Sequence, residues 1–367
     1  MEQTTAYSAT GGGSASMSLG RAAVAIVGLI LTLILLVIGF LFLRDSDAPR
    51  LVIALVAIIW GVGGVAALYT LANYLVESFT PKWTALIQPY IFVGPAILLL
   101  IWYLAAPTLR TLSLSLYTTQ GGVTTFAGLD NYRAIIDSRI MREALLNNIV
   151  WLVVGTSLTV GLGLLIAILA DRSSFERIAK SAIFMPMAIS MVGAGVIWKF
   201  VFDVNPDIGL LNSVVTGLGG QPQDWLRQVQ PYNNLFLIIV MVWLQTGFAM
   251  VLISAAIKGI PEDLLEAARV DGANEITIFF RIMIPSIMGT LITVTTTTII
   301  FTLKVFDIVM VMTGGQFGTE VIGVRFYKEM FTAGNQGYGS AIAIVLLIAV
   351  TPVIIYNLRE FSKRETF

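Results

Sequence analysis

Eight stretches of this chain run for about twenty residues or more with at most two charged side chains each, and that repetition limits the fold more than any motif does. They are Ala22 to Leu43, Leu51 to Tyr74, Leu86 to Pro107, Asn147 to Ala170, Ser181 to Phe202, Asn234 to Ile257, Ile287 to Met312 and Tyr338 to Tyr356. A bilayer offers the backbone no hydrogen-bond partners, so apolar runs of this length cross it as helices. The pattern predicts an all-α polytopic membrane protein with eight transmembrane helices. Composition agrees: 57% of the 367 residues are apolar and 12% charged, against about 25% charged in soluble domains. The 22 basic and 22 acidic residues cancel, which leaves no basic surplus for nucleic acid. Cysteine and histidine are both absent, so disulfides, thiolate or imidazole metal sites, Cys/His or Ser/His/Asp catalysis and a histidine pH switch are excluded.

The chain divides by composition. Residues 1–20, with Gly11-Gly12-Gly13 among small polar residues, read as a disordered tail. Residues 21–80 form a two-helix extension, 81–145 a further helix and a loop, 146–358 the main transmembrane domain and 359–367 a second tail. The first run is longer than a signal-peptide core and ends at Arg44 without a small-residue cleavage site, so it is read as retained. Gly61, Gly63 and Gly64 would permit close helix packing in the extension. Eight spans place both termini on one side. Lysine and arginine divide almost evenly between the two sides, so orientation needs a better argument than charge.

The segment between spans six and seven, residues 259–285, supplies it. Pro261 suits a first helical turn, and Glu262 and Asp263 complement the positive end of the helix dipole. Leu264, Leu265 and Ala268 share a face, while Ala267 and Ala268 are small enough to let a partner approach the backbone. Asp271-Gly272 then breaks the helix. Ile276, Phe279, Phe280 and Met283 recur at helical spacing, predicting a second helix lying on the membrane face before Pro285 opens the next span.

The order Glu266-Ala267-Ala268, Asp271-Gly272-Ala273, Phe279, Ile282 and Pro285 resembles the "EAA" loop of the membrane subunits of binding-protein-dependent ABC importers. The resemblance extends from about Trp83 to the C-terminus. Phe126 to Tyr132, Phe306 to Gly315 and Gly337 to Ala341 are similar to the sugar-importing, maltose-transporter-like branch. Phe184 to Ser190 and Trp243 to Met250 look like its α-glucoside and glucosylglycerol permeases. Gln316 departs from that branch, which usually has proline after Gly-Gly.

The resemblance implies a type I importer fold, with a six-helix core behind the two N-terminal helices. In that family the loop is cytoplasmic and docks on the ATPase, which puts Glu266, Ala267, Ala268, Asp271, Gly272, Ala273 and Pro285 in a coupling role. It also places both termini in the cytoplasm of a bacterial inner membrane. The partners implied are a second homologous permease, two cytoplasmic ABC ATPases, and a periplasmic or lipid-anchored binding protein docking around Leu129 to Leu145 and Val321 to Gly337. No Gly-Lys dipeptide occurs, hence no phosphate-binding loop of the Walker type. The chain is expected to be non-catalytic and to bind no cofactor, with ATP and Mg held by the partner ATPases.

Polar groups inside a span mark either a pathway or a structural bond. Lys199, near the end of span five, can snorkel to the interface. Gln245, central in span six, either bonds a neighbouring helix or faces the path, with Phe248 about one turn away. Thr297, Phe301 and Lys304 recur on one face of span seven, and Lys304 and Asp307 are spaced to pair along it. The hydroxyls of Thr295 to Thr298 can alternatively bond their own helix carbonyls. Gln245, Phe248, Thr297, Phe301, Lys304 and Asp307 are the candidate substrate contacts, for a sugar, glycoside or similar compatible solute. An ion-coupled secondary transporter is the competing class and would rest on Asp307, the one carboxylate in the spans. A membrane enzyme would need convergent acid, base or metal groups, which the spans lack.

Overall fold

The computed structural model describes residues 18–120, 123–171 and 173–364, so the expected N-terminal tail lies outside the described residues as far as residue 17. Among the described residues, seven helices are long and apolar enough to cross a membrane: Leu19–Asp45, Arg50–Val76, Pro81–Leu114, Arg139–Asp171, Tyr232–Lys258, Glu275–Leu303 and Gln336–Arg359. The eighth, span five, is broken into Glu176–Ala188 and Met191–Val201, bent by 104°. The cause is local. Pro186 sits in a tight turn over Met185–Ala188, Ser190 is extended, and its hydroxyl accepts the Gly193 N–H at 3.0 Å, capping a new helix in a new direction.

Two compact units divide at Leu109 and Arg110, inside the third long helix. The first part of that helix is tied to span two, with Gln88 donating to Asn73 at 2.9 Å and Tyr69 stacking on Phe92 at 6.2 Å. Spans one and two pair as a hairpin in which the Trp60 indole donates to the Leu36 carbonyl at 3.0 Å. Gly39 makes room for Trp60 and Gly64 for Leu36, whereas Gly61 and Gly63 face open space, so only Gly64 of the three predicted glycines serves packing.

In the second unit span six is the central, mostly buried helix. Its crossings with spans four and five are close: a Cβ on Gly163 would lie 2.6 Å from Ala249 Cβ, and one on Gly247 2.6 Å from the Ile183 carbonyl oxygen. Trp151, Leu237, Ile238, Ile308 and Val309 form one core, and Ala167, Met250, Ile253, Ile287 and Val294 another. A two-stranded antiparallel hairpin, Tyr117–Gln120 with Val123–Phe126, is added to the helices after span three.

Two expectations for span seven change. The helix entering it is continuous from Glu275, so no separate surface helix ends at Pro285; a π-turn over Phe279–Met283 takes up the proline's missing N–H. Span three handles Pro107 in the same way, with a π-turn over Ile101–Ala105. At the other end the helix stops at Leu303. Phe306 leaves helical geometry and Asp307 opens a separate short helix, Asp307–Met312, so Lys304 and Asp307 do not share a helix face and form no ion pair. The last helix continues through Arg364, past the expected tail boundary at 359.

Candidate functional site

Span six carries Gln245 as the central residue of its 27-residue helix Tyr232–Lys258. Gln245 is 9% exposed, and no described hydrogen bond engages its side chain. Its amide atoms are not sealed off without a partner but reach accessible space. It opens into a cavity of about 400 Å³ that it lines together with Leu244 and Phe248 of the same helix and Thr297 and Phe301 of span seven. Met187, Ile189 and Met191 close the third side, brought there by the break in span five. The volume falls within the range of about 300–1,000 Å³ typical of small-molecule sites.

The threonine run divides by face. Thr296 donates to the Ile292 carbonyl at 2.9 Å and Thr298 to the Val294 carbonyl at 2.8 Å, each bonding its own helix. Thr297 faces the cavity and makes no such bond. Four of the six candidate contacts, Gln245, Phe248, Thr297 and Phe301, are therefore brought together. Lys304 and Asp307 are not among the lining residues, because the helix ends before them. The cavity walls are uncharged. The methionine and isoleucine wall from span five was missed in the sequence, although Pro186 and Ser190 were the available signals for a break.

At the Lys258 end of span six lies the helix Glu262–Val270, with no buried residue. It ends with two bonds: the Gly272 N–H to the Arg269 carbonyl and the Ala273 N–H to the Ala268 carbonyl, both 3.0 Å. Gly272 has φ +82°, and Asn274 caps the following helix by accepting the Thr277 N–H at 2.8 Å. Arg269 pairs with Glu275 at 3.1 Å across the turn. Leu264, Val270, Ile276 and Phe280 are all exposed, giving a rigid turn with an uncovered apolar surface, while Ala267 and Ala268 leave the helix backbone accessible. Pro285 stands apart from this turn, inside span seven.

Beside it, Asp171, Glu176 and Lys180 tie the end of span four to span six. Lys180 bonds Asp171 and Ser254 and pairs with Glu176 at 2.6 Å; Ser254 also donates to Asp171 at 2.8 Å, and Lys258 pairs with Glu176.

The opposite end of span six is held by amides. Asn147 donates to the Gly318 and Glu320 carbonyls at 2.7 and 2.8 Å, Asn233 donates to the Phe317 carbonyl at 2.5 Å, and Asn148 accepts the Ile322 N–H at 2.8 Å. Trp151 and Asn147 both bond Asn234. The turn after Met312 is thereby fastened to spans four and six. Nothing in the hydropathy pattern signalled that role for these asparagines.

A bundle of membrane-spanning helices, with a small-molecule cavity beside its central helix and an uncovered turn at one end of that helix, defines the transmembrane subunit of a transporter. Residues 159–364 match the family described as binding-protein-dependent transport system inner membrane component, and the chain belongs to that family. It is 52% identical over 278 residues to the osmoprotective compounds uptake permease protein GgtC of Synechocystis, covering 75% of this chain and 99% of that protein. It is 43% identical over 334 residues to the alpha-glucoside transport system permease protein AglF of Rhizobium meliloti, covering 86% and 98%. A chain of the crystal structure of a bacterial ABC transporter that imports the acidic polysaccharide alginate shares the fold. That match has a TM-score of 0.65 at 20% identity over 76% of this chain and 96% of that one. The protein is thus a multi-pass inner-membrane permease subunit of a binding-protein-dependent ABC importer, and its part in the cycle is transport, not catalysis.

Proposed function

We propose that the chain passes a neutral sugar, glycoside or glycoside-like compatible solute through the cavity beside Gln245. The observation that carries this is an amide at the centre of span six that makes no protein hydrogen bond among the described residues and opens onto uncharged walls. Gln245 and Thr297 would take sugar hydroxyls, and Phe248 and Phe301 would cover apolar sugar faces. Charged solutes would lose hydration there without gaining a counter-charge. The printed activities of the two relatives, uptake of osmoprotective compounds and of alpha-glucosides, are consistent with this class.

The helix Glu262–Val270 with its Gly272 turn is the docking element for an ATPase subunit, so this end of span six faces the cytoplasm and both termini lie there. Two ATPases would supply ATP and Mg, and this chain would hold neither. A second, homologous permease completes the pathway, and a binding protein delivers solute at the opposite face, on the segments Leu129–Leu145 and Val321–Gly337. Closure of the ATPases biases a two-state membrane core. Reconstituting the assembled transporter in liposomes and measuring ATP-driven uptake of radiolabelled glucosylglycerol, trehalose and sucrose tests this. Uptake with Gln245→Ala should show a raised half-saturation concentration at unchanged maximal rate, and an unchanged half-saturation would refute the site.

A further inference from the structure

A second cavity, of about 540 Å³, opens at the other end of span five's second half, and nothing above assigns it a role. Met191 at the start of that half lines the first cavity, and Lys199 near its end lines the second, a separation of about 12 Å along the helix. Its walls differ in kind from the first. Lys199, Asp203, Asp224 and Arg227 contribute two cations and two carboxylates, and Gln316 adds an amide. Asp224 pairs with Arg227 at 3.4 Å, and the Arg227 guanidinium lies 4.8 Å above the Phe317 ring. Lys199 has no ion pair among the described residues.

Phe317 is the informative residue. It has φ +58°, the one positive φ outside glycine among the described residues, in a region bulky side chains avoid. Its carbonyl is gripped by Asn233, and the turn is fastened on both sides by Asn147 and the Thr313–Thr319 hydroxyl pair at 2.6 Å. Strain of this sort persists where the surroundings over-determine it, and it clusters at binding sites. The ring it holds is 44% exposed and lines the cavity.

We propose that this cavity is a second binding site for a neutral polyhydroxylated solute, in which the Phe317 ring covers one sugar face and Lys199, Asp203 and Asp224 exchange hydrogen bonds with hydroxyls. Balanced charge gives donors and acceptors in equal supply and favours no ion. The site precedes the Gln245 cavity on the path from the face opposite the docking turn, and it rests on the sugar reading for the class of its ligand only.

The test is saturation-transfer NMR on the assembled transporter in nanodiscs, with glucosylglycerol and trehalose as probes and gluconate and glucosamine as charged controls. Phe317→Gly removes the ring while accepting the positive φ, so the fold survives and the unfolding temperature does not drop. In a Gln245→Ala background, which removes the first site's contribution, the residual transfer should fall about fivefold with Phe317→Gly, the loss of one aromatic face, and persist with Phe317→Tyr. Lys199→Met, at an exposed and unpaired position, should lower it as well. Equal transfer in Phe317→Gly, transfer to gluconate as strong as to trehalose, or no transfer to either glycoside at millimolar concentration overturns the proposal. So does a loss confined to binding-protein affinity, which would give the cavity to that partner. Failure of the first site shows separately, as transfer and uptake unaffected by Gln245→Ala alone.

Discussion

Replacing Gly272 isolates backbone geometry from packing at the turn proposed to meet the ATPase. A Cβ there would meet nothing within 4 Å, so an L-residue adds no clash within the chain. What it adds is the cost of holding φ at +82°, about 1–2 kcal/mol for an ordinary residue. If the ATPase binds only the turned conformer, the competent fraction falls and apparent affinity weakens by at most about 5–30-fold with Gly272→Ala. Asparagine populates the left-handed region more readily, so Gly272→Asn should lose less than alanine despite its larger size, and Gly272→Val should lose most. Affinity of the purified ATPase for permease-containing nanodiscs, measured by biolayer interferometry, gives the order Gly, Asn, Ala, Val. Unfolding temperatures should stay equal, because the turn touches no span packing. An order that follows side-chain volume, with asparagine worse than alanine, would refute the backbone argument in favour of a clash with the partner. Four equal affinities would remove the turn from the interface.

Lys304→Ala and Asp307→Asn should change the half-saturation concentration for glycoside uptake by less than about twofold, since neither residue lines the Gln245 cavity; a shift as large as that of Gln245→Ala would show the helix continuing past Leu303 during transport. Gly247→Ala would put a methyl 2.7 Å from Phe184 Cα and should destabilise the permease by about 1–3 kcal/mol, read as a lower unfolding temperature in nanodiscs. Asn147→Ala strips the Glu320 carbonyl of its side-chain donor, while the Gly318 carbonyl keeps Gln230, and should cost about 1–3 kcal/mol in the same assay, with Asn147→Leu no better.

Hydropathy located the seven long helices and the bent pair Glu176–Ala188 and Met191–Val201 because burial in lipid selects composition over length, and the turn after Val270 was legible because Pro261 and Asp271-Gly272 each act on the backbone nearest them. The breaks were less visible. Ser181 to Phe202 reads as one apolar run, yet Pro186 and the Ser190 cap divide it, and the bend supplies Met187, Ile189 and Met191 to the cavity. Likewise Val305 and Phe306 continue an apolar pattern while their backbone leaves the helix, which separated Lys304 from Asp307. Composition records where a side chain is soluble, and it does not record where the helix axis turns. The faces of span seven show the same limit: Thr296, Thr297 and Thr298 are alike in sequence, and only the rotation of the helix decides that Thr297 alone of the three meets the cavity.

The arrangement of ties along span six makes it the element best placed to move the site as a unit. One end is fastened by Asn233 to the turn at Phe317 and by Asn234 to Trp151 and Asn147 of span four, and the other by Ser254 and Lys258 to the Asp171–Lys180 cluster. Between them the helix crosses its neighbours at Gly163 and Gly247, where backbones approach closely enough that even a methyl does not fit. Such contacts tolerate two discrete packings better than a continuous slide. Under the coupling proposed here, force applied at the docking turn reaches Gln245 through one unbroken helix of 27 residues. Span five, interrupted at the cavity, and span seven, which stops just beyond it at Leu303, can instead bend there. The cavity would then open and close by motion of these two walls against its continuous one. A Lys180→Met substitution, which unties the cluster without touching the cavity, should therefore lower uptake per ATP hydrolysed while leaving solute affinity unchanged. Equal loss of both would show that the cluster holds the fold and not the coupling.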